Sequence, residues 1–195
     1  DLDRLKKISK KYKLSLIGDC AQSFGSKYNN KSTINYYDYA ATSFYPTKIL
    51  SCYGDGGALF FKGNYKNALR LKNNGHDLKN KSICYQIGIN SRLDSIQALV
   101  LNDEINKLKH KIVLKNKIFN FYKKFINQNS YLQLTKNFNK KIQSNNYIFA
   151  ILVKKNRMKI MKHMRKNGID CKIFYKKLLP YNSVLKPIYK TDLKN

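Results

Sequence analysis

A chain of 195 residues with 43% hydrophobic and 13% aromatic content has the length for one or two packed domains, which excludes a wholly disordered polymer. The formal charge of +28 raises a nucleic-acid partner, but only five of the 39 basic residues are arginine and the lysines run through every segment, so the charge reads as solvated surface, with no nucleic acid bound. No apolar run approaches the roughly 20 residues that span a bilayer, no signal-peptide core opens the chain, and Cys20, Cys52, Cys84 and Cys171 lack metal-ligand spacing; the expectation is a cytoplasmic protein with no membrane partner, no metal, and thiols in or near its core.

The chain opens as a helix already in progress, with Leu2, Leu5, Ile8 and Tyr12 at helical spacing and no initiator methionine, so it reads as an internal piece of something longer. Leu14-Ser15-Leu16-Ile17 then predicts a buried strand that delivers Asp19 at its C-terminal end. In open α/β sheets ligands collect at that end. Tyr39 to Phe44 predicts a second strand, stopped by Pro46, and Ala58 to Phe61 a third, entered through the Gly54-Asp55-Gly56-Gly57 turn. These three strands bracket Lys48.

Asn64 reads as the N-cap of a short helix carrying Tyr65, Ala68, Leu69 and Leu71, with Gly75 near its stop and a polar loop from His76 to Ser82 after it. Asp94 opens a long helical region through Ile112, with a second segment carrying Phe119, Tyr122 and Phe125; such a length commonly links one domain to the next. A strand over 147–153, a helix around Met158 to Met164 ending at Gly168, and a strand over 169–175 complete the pattern of a small α/β unit.

The stretch from Asp19 to Gly57 carries the four groups that a pyridoxal phosphate site needs. Lys48 supplies an amine for a Schiff base, and Asp19 an acid against the pyridine nitrogen, since a carboxylate beside a cation stabilises the pair. Gln22 can donate to the ring's phenolate oxygen, and Ser43 offers a hydroxyl and a backbone amide to the phosphate. Spacing alone leaves a plainer reading open, in which Asp19 is a turn residue, Ser43 is ordinary and the glycines only make a turn.

In chain order, Asp19-Cys-Ala-Gln22-Ser-Phe-Gly25, Ser43-Phe-Tyr-Pro-Thr-Lys48, Cys52-Tyr-Gly-Asp-Gly-Gly57-Ala58 and Ile87-Gly-Ile-Asn-Ser-Arg-Leu-Asp94 resemble the DegT/StrS family of nucleotide-sugar aminotransferases. Within it the combination looks most like the enzymes that aminate UDP-linked 3-keto-hexuronates. The resemblance implies an α/β fold, namely the second half of a fold-type I aminotransferase large domain over residues 1–91. A connecting helical region over 92–126 and a small C-terminal α/β domain over 127–195 would follow.

The resemblance also implies pyridoxal 5'-phosphate as cofactor, with Lys48 as the Schiff-base lysine, Asp19 the pyridine-nitrogen partner, Gln22 the phenolate contact and Ser43 a phosphate ligand. Asn90 matches an asparagine that reaches the neighbouring subunit's cofactor phosphate, and Arg92 an arginine near substrate, so a homodimer with shared active sites follows by likeness. From the residues alone, Asn90 and Arg92 read as a polar helix start. A keto-sugar nucleotide and glutamate would be the substrates, in amino-sugar or cell-surface polysaccharide synthesis such as O-antigen. Members that dehydrate instead carry histidine at the lysine position, so Lys48 favours amino transfer. Tyr175 matches a family tyrosine without an assigned role. Gly18 stands where the family usually has Glu, and Asn74-Gly75 where it has His-Gly, with His76 one position on. The likeness begins about mid-protein, so the Gly-Thr phosphate turn and the aromatic that stacks on the ring are expected outside this chain. A non-catalytic scaffold or a basic nucleic-acid-binding domain are the readings from other classes.

Overall fold

The computed structural model describes residues 1–135, 140–176, 178–182 and 184. Helix α1 (Leu2–Lys11) is started by the Asp1 carboxylate, which accepts from the Arg4 backbone N–H at 3.1 Å. Strands β1 (Ile17–Asp19), β2 (Lys27–Tyr28) and β3 (Lys31–Ser32) follow; the last two form a hairpin whose turn is Asn29-Asn30, both at positive φ. Next come β4 (Tyr39–Ser43), β5 (Gly57–Phe61), α2 (Lys66–Leu71) and the 33-residue α3 (Ser95–Asn127). Strands β6 (Leu132–Leu134), β7 (Ile142–Gln143) and β8 (Ile151–Val153), then α4 (Arg157–Lys166), complete the strands and α-helices among the described residues.

Among the described residues the strands form three small sheets. β1 pairs parallel with β4, and β4 antiparallel with β5, in the order β1-β4-β5; β3-β2-β7 and β6-β8 are separate. The core lies under β4 and the loop after it, where Phe44, Leu50, Cys52 and Leu101 are buried against Phe24, Leu93, Val100 and Leu108. The first half of α3 therefore roofs the end of the sheet that carries Lys48. Its entry is fixed by Asp94, whose carboxylate accepts from the Ile96 and Gln97 amides at 2.8 and 3.4 Å. Replacing Asp94 by Ala is expected to cost about 1 kcal/mol of unfolding free energy in a denaturant titration, since two amides lose their acceptor.

The structure departs from the sequence expectations at identifiable points. The strand expected from Leu14 begins only at Ile17, because the chain reverses after α1: Lys13 takes φ +52° and the Leu14 N–H bonds the Ser9 carbonyl at 2.8 Å. Nor is the strand buried: β1 is a sheet edge, Ile17 is 72% exposed and only Gly18 is covered. The long helix is one continuous element, not two segments.

The strand expected over 147–153 shrinks to Ile151–Val153, since Asn146 at φ +48° breaks the extension and Phe149 packs edge-on against Phe119 of α3 at 5.5 Å. Residues 169–175 form no strand; the Cys171 carbonyl accepts from Arg165 of α4 at 2.8 Å instead. Cys20 and Cys52 are buried as expected, whereas Cys84 is exposed. No helix among the described residues is long and apolar enough to cross a membrane. The part of the C-terminal region beyond Val184 lies outside the described residues.

Candidate active site

Parallel pairing of β1 with β4 sets Asp19 beside Ala41, and the Cys20 N–H extends the ladder to the Ala41 carbonyl at 2.7 Å. Because strand side chains alternate, Asp19, Ala41 and Ser43 share one sheet face, while Ala40 and Thr42 are buried on the other. Ser43 ends β4 on the same side as the carboxylate. Its Oγ accepts from the Tyr45 N–H at 3.2 Å, which leaves the hydroxyl hydrogen available for an anion. Asp19 accepts from the Ala21 N–H at 3.0 Å through Oδ1, so its second oxygen stays available to a partner.

Lys48 sits at the tip of the loop joining β4 to β5, and three backbone hydrogen bonds close that loop. The Phe44 N–H reaches the Gly56 carbonyl at 2.8 Å, the Cys52 N–H reaches Phe44 at 2.8 Å, and the Lys48 N–H reaches Tyr45 at 2.8 Å. The Cys52 thiol, itself buried, donates to the same Phe44 carbonyl at 3.2 Å. From the far side Gln97 of α3 accepts from the Tyr53 N–H at 2.8 Å. A flexible amine is thereby mounted on a backbone held from within and from the roof.

Gly18, where the resemblance expects a carboxylate, has a packing role here. A Cβ at that position would lie 2.4 Å from the Tyr37 ring, so the aromatic occupies the space a side chain would need. Next along, burial holds the Cys20 thiol above its ordinary value, with the Asp19 charge adding to the effect. Cys20 stays a neutral thiol beside the site.

Gln22 lies in the turn after β1, exposed, with its carbonyl accepting from the Asn145 side chain at 3.0 Å. Asn90 and Arg92 are elsewhere: Asn90 bridges to Asn73 at the end of α2, and Arg92 donates to the Asn73 side chain. Among the described residues their hydrogen bonds do not reach Asp19, Ser43 or Lys48. The loop behind them is braced by Asp77, whose carboxyl is held below its ordinary value by the Asn80 and Lys79 amides and by Arg70 at 3.4 Å. His76 lies in that loop, opposite Cys84. A shallow hollow of about 410 Å³ is lined by residues 153–159 alone and contains none of the candidate residues.

Two residues outside the predicted set touch it. The Lys48 ammonium lies 5.5 Å from the centre of the Tyr147 ring, and the Tyr147 hydroxyl meets Thr47 Oγ1 at 3.4 Å. Asn145, only 3% exposed, binds both the Gln22 turn and the Tyr147 amide. Sequence reading placed Tyr147 inside a strand; the Asn145-Asn146 pair just before it was the available signal, since asparagine tolerates left-handed backbone and bonds locally.

The profile of the DegT/DnrJ/EryC1/StrS aminotransferase family matches residues 1–195. The chain belongs to that family. Similar members include the UDP-2-acetamido-2-deoxy-3-oxo-D-glucuronate aminotransferase of Pseudomonas aeruginosa, 39% identical over 120 residues, which are 60% of this chain and 33% of that protein. A solved DegT/DnrJ/EryC1/StrS aminotransferase from Brucella abortus superposes with a TM-score of 0.87 at 29% identity, over 95% of this chain and 49% of its own. DesV of S. venezuelae does so with a TM-score of 0.89 at 26% identity, over 100% and 52%. The chain thus spans about half the length of these solved relatives, and its fold is that of the fold-type I aminotransferases.

The DegT/DnrJ/EryC1/StrS aminotransferases depend on pyridoxal phosphate, and one solved relative, from Bacillus subtilis, holds the pyridoxamine form. The donor set here fits that group: a carboxylate and a hydroxyl on one sheet face, and an amine on a closed loop at the same end.

Proposed function

We propose that the protein is a pyridoxal phosphate-dependent aminotransferase that aminates a UDP-linked 3-keto-hexuronate with glutamate as donor. The observation that carries this reading is Lys48 on a loop braced from both sides, at the sheet end where Asp19 and Ser43 share a face. The P. aeruginosa relative's name supports the substrate class. Residues 1–91 act as the second half of a large domain, 92–126 as a connector and 127–195 as a small domain. Asn90 and Arg92 serve the site of a second subunit in a cytoplasmic homodimer, and the product feeds cell-surface polysaccharide.

When bound, the cofactor supplies an electron sink for the charge left as a proton leaves the substrate carbon. Lys48 Nζ would take that proton from the substrate carbon and hand it to the cofactor carbon on the other side of the transferred nitrogen, acting as base and then acid. Asp19, exposed at the end of β1, would keep the pyridine nitrogen protonated by pairing its carboxylate with that cation. Ser43 would hold the phosphate through its hydroxyl hydrogen, and the Gln22 amide would hold the phenolate oxygen. Arg92 attracts the anionic part of the nucleotide sugar.

Incubation of the full-length protein with glutamate and a UDP-linked 3-keto-hexuronate is expected to yield the amino sugar nucleotide and 2-oxoglutarate, read by mass spectrometry. A protein that holds pyridoxal phosphate on Lys48 but leaves that substrate unaminated would refute the substrate assignment.

A further inference from the structure

The buried amide of Asn145 is fully used. Its Nδ2 donates to the Gln22 and Phe24 carbonyls at 3.0 and 2.9 Å, its Oδ1 accepts from the Tyr147 N–H at 3.0 Å, and its own N–H donates to Ser26 Oγ at 3.0 Å. A side-chain amide withdrawn from water is costly unless every group is paired, and here the pairs run in two directions. One side holds the turn that carries Gln22; the other fixes the backbone of Tyr147. Asn146, between them, takes φ +48° and bonds to Asn116 of α3, which turns the chain so that Tyr147 faces the Lys48 loop.

At that loop Tyr147 makes two contacts on adjacent residues, its hydroxyl to Thr47 at 3.4 Å and its ring face to the Lys48 ammonium at 5.5 Å. A lysine has a flexible four-carbon stem, so a mounted backbone alone does not place its amine. The face of an aromatic ring attracts a cation and narrows that freedom. The Thr47 contact keeps the ring over the same loop.

We infer that Asn145 and Tyr147 are positioning residues for the Lys48 site: Asn145 couples the Gln22 turn to Tyr147, and the Tyr147 ring parks the Lys48 amine between reactive encounters. Residues about 100 positions further along the sequence thereby set the geometry of one amine. The functional meaning rests on Lys48 as the cofactor lysine; the placement of the amine does not.

The test measures acylation of Lys48 by limiting acetic anhydride in cofactor-free protein, with exposed Lys7 as internal reference, read by peptide mass. Tyr147→Leu is expected to raise the Lys48 rate about two- to five-fold, the factor that corresponds to the roughly 0.5–1 kcal/mol of such a contact. Tyr147→Phe keeps the ring and is expected to stay within two-fold of wild type. Asn145→Ala is expected to raise Lys48 labelling and to speed hydrogen exchange at the Ser23, Phe24 and Ser26 amides at least tenfold. An unchanged Lys48 rate in Tyr147→Leu, or an equal rise in Tyr147→Phe, overturns the ring's role; unchanged exchange in Asn145→Ala overturns the coupling. If Asn145→Ala does not fold, Asn145→Ser carries that arm with the same criteria. Borohydride fixation of pyridoxal phosphate in the wild-type protein, mapped separately, shows whether Lys48 is the cofactor lysine, so the two ideas fail independently.

Discussion

Lys48→Ala is expected to abolish the borohydride-fixed pyridoxal phosphate adduct on its peptide and to lower amino transfer by at least about 10³-fold, since both the covalent anchor and the proton carrier are lost. The adduct must be mapped to a residue, because the lysines, 34 of the 39 basic residues once the five arginines are set aside, offer many adventitious amines. Lys48→Arg sharpens the result. A guanidinium keeps a cation against the Tyr147 ring but stays protonated and cannot act as a nucleophile, so loss in both variants assigns the effect to the amine and not to the charge. The fold should tolerate either change: Lys48 is half-buried at a loop tip, whereas the core that closes the loop is built from Phe44, Leu50, Cys52 and Leu101. An adduct that persists at this site in Lys48→Ala, or activity above a tenth of wild type, would refute the assignment.

How far this site could be read from sequence depended on the range of the interactions. Asp19, Ser43 and Lys48 lie within thirty residues, on strands and a loop whose apolar pattern and glycine turn are local signals; β4 and β5 form close to where that pattern put them, while β1 begins only at the last residue of the run expected for it. Helix α3 was legible for the same reason, with Asp94 at its cap. What pattern reading could not see is long-range. The strand expected at residue 147 gives way because Asn145 finds partners at residues 22–26 and Phe149 finds Phe119, contacts that propensity does not encode. Residues 169–175 alternate like a strand but have their Cys171 carbonyl taken by Arg165. Gly18 shows the same limit: as a sequence departure it reads as a lost carboxylate, and only the Tyr37 ring beside it reveals a packing requirement.

The second large effect is expected at Gly75. Its φ is +78°, and a Cβ there would sit 1.6 Å from the Gln86 carbonyl oxygen, a backbone atom that no rotamer change can move. Gly88 is as tightly placed, with its Cβ position 2.3 Å from the Gly75 nitrogen. The two glycines let residues 85–91 lie directly on the end of α2, where the Tyr85 N–H reaches Gly75 at 3.0 Å, Ile89 reaches Leu71 at 2.9 Å and Ser91 reaches Lys72 at 3.0 Å. This strap is what places Asn90 beside Asn73 and brings Arg92 to the Asn73 side chain. Gly75→Ala must therefore separate two backbones and adopt left-handed geometry as well, for a combined local cost of about 3 kcal/mol. The expected result is hydrogen exchange about 10²-fold faster at the Tyr85, Ile89 and Ser91 amides. The Lys48 adduct should survive, because the hydrogen bonds that close its loop come from residues 44–56 and Gln97. Amino transfer should nevertheless fall, through a higher KM for the nucleotide sugar, if Arg92 acts on substrate as proposed. Unchanged exchange at the three amides would show that the strap does not depend on Gly75. Loss of the Lys48 adduct together with the strap would show that the cofactor end and the Asn90–Arg92 segment form one cooperative unit rather than two.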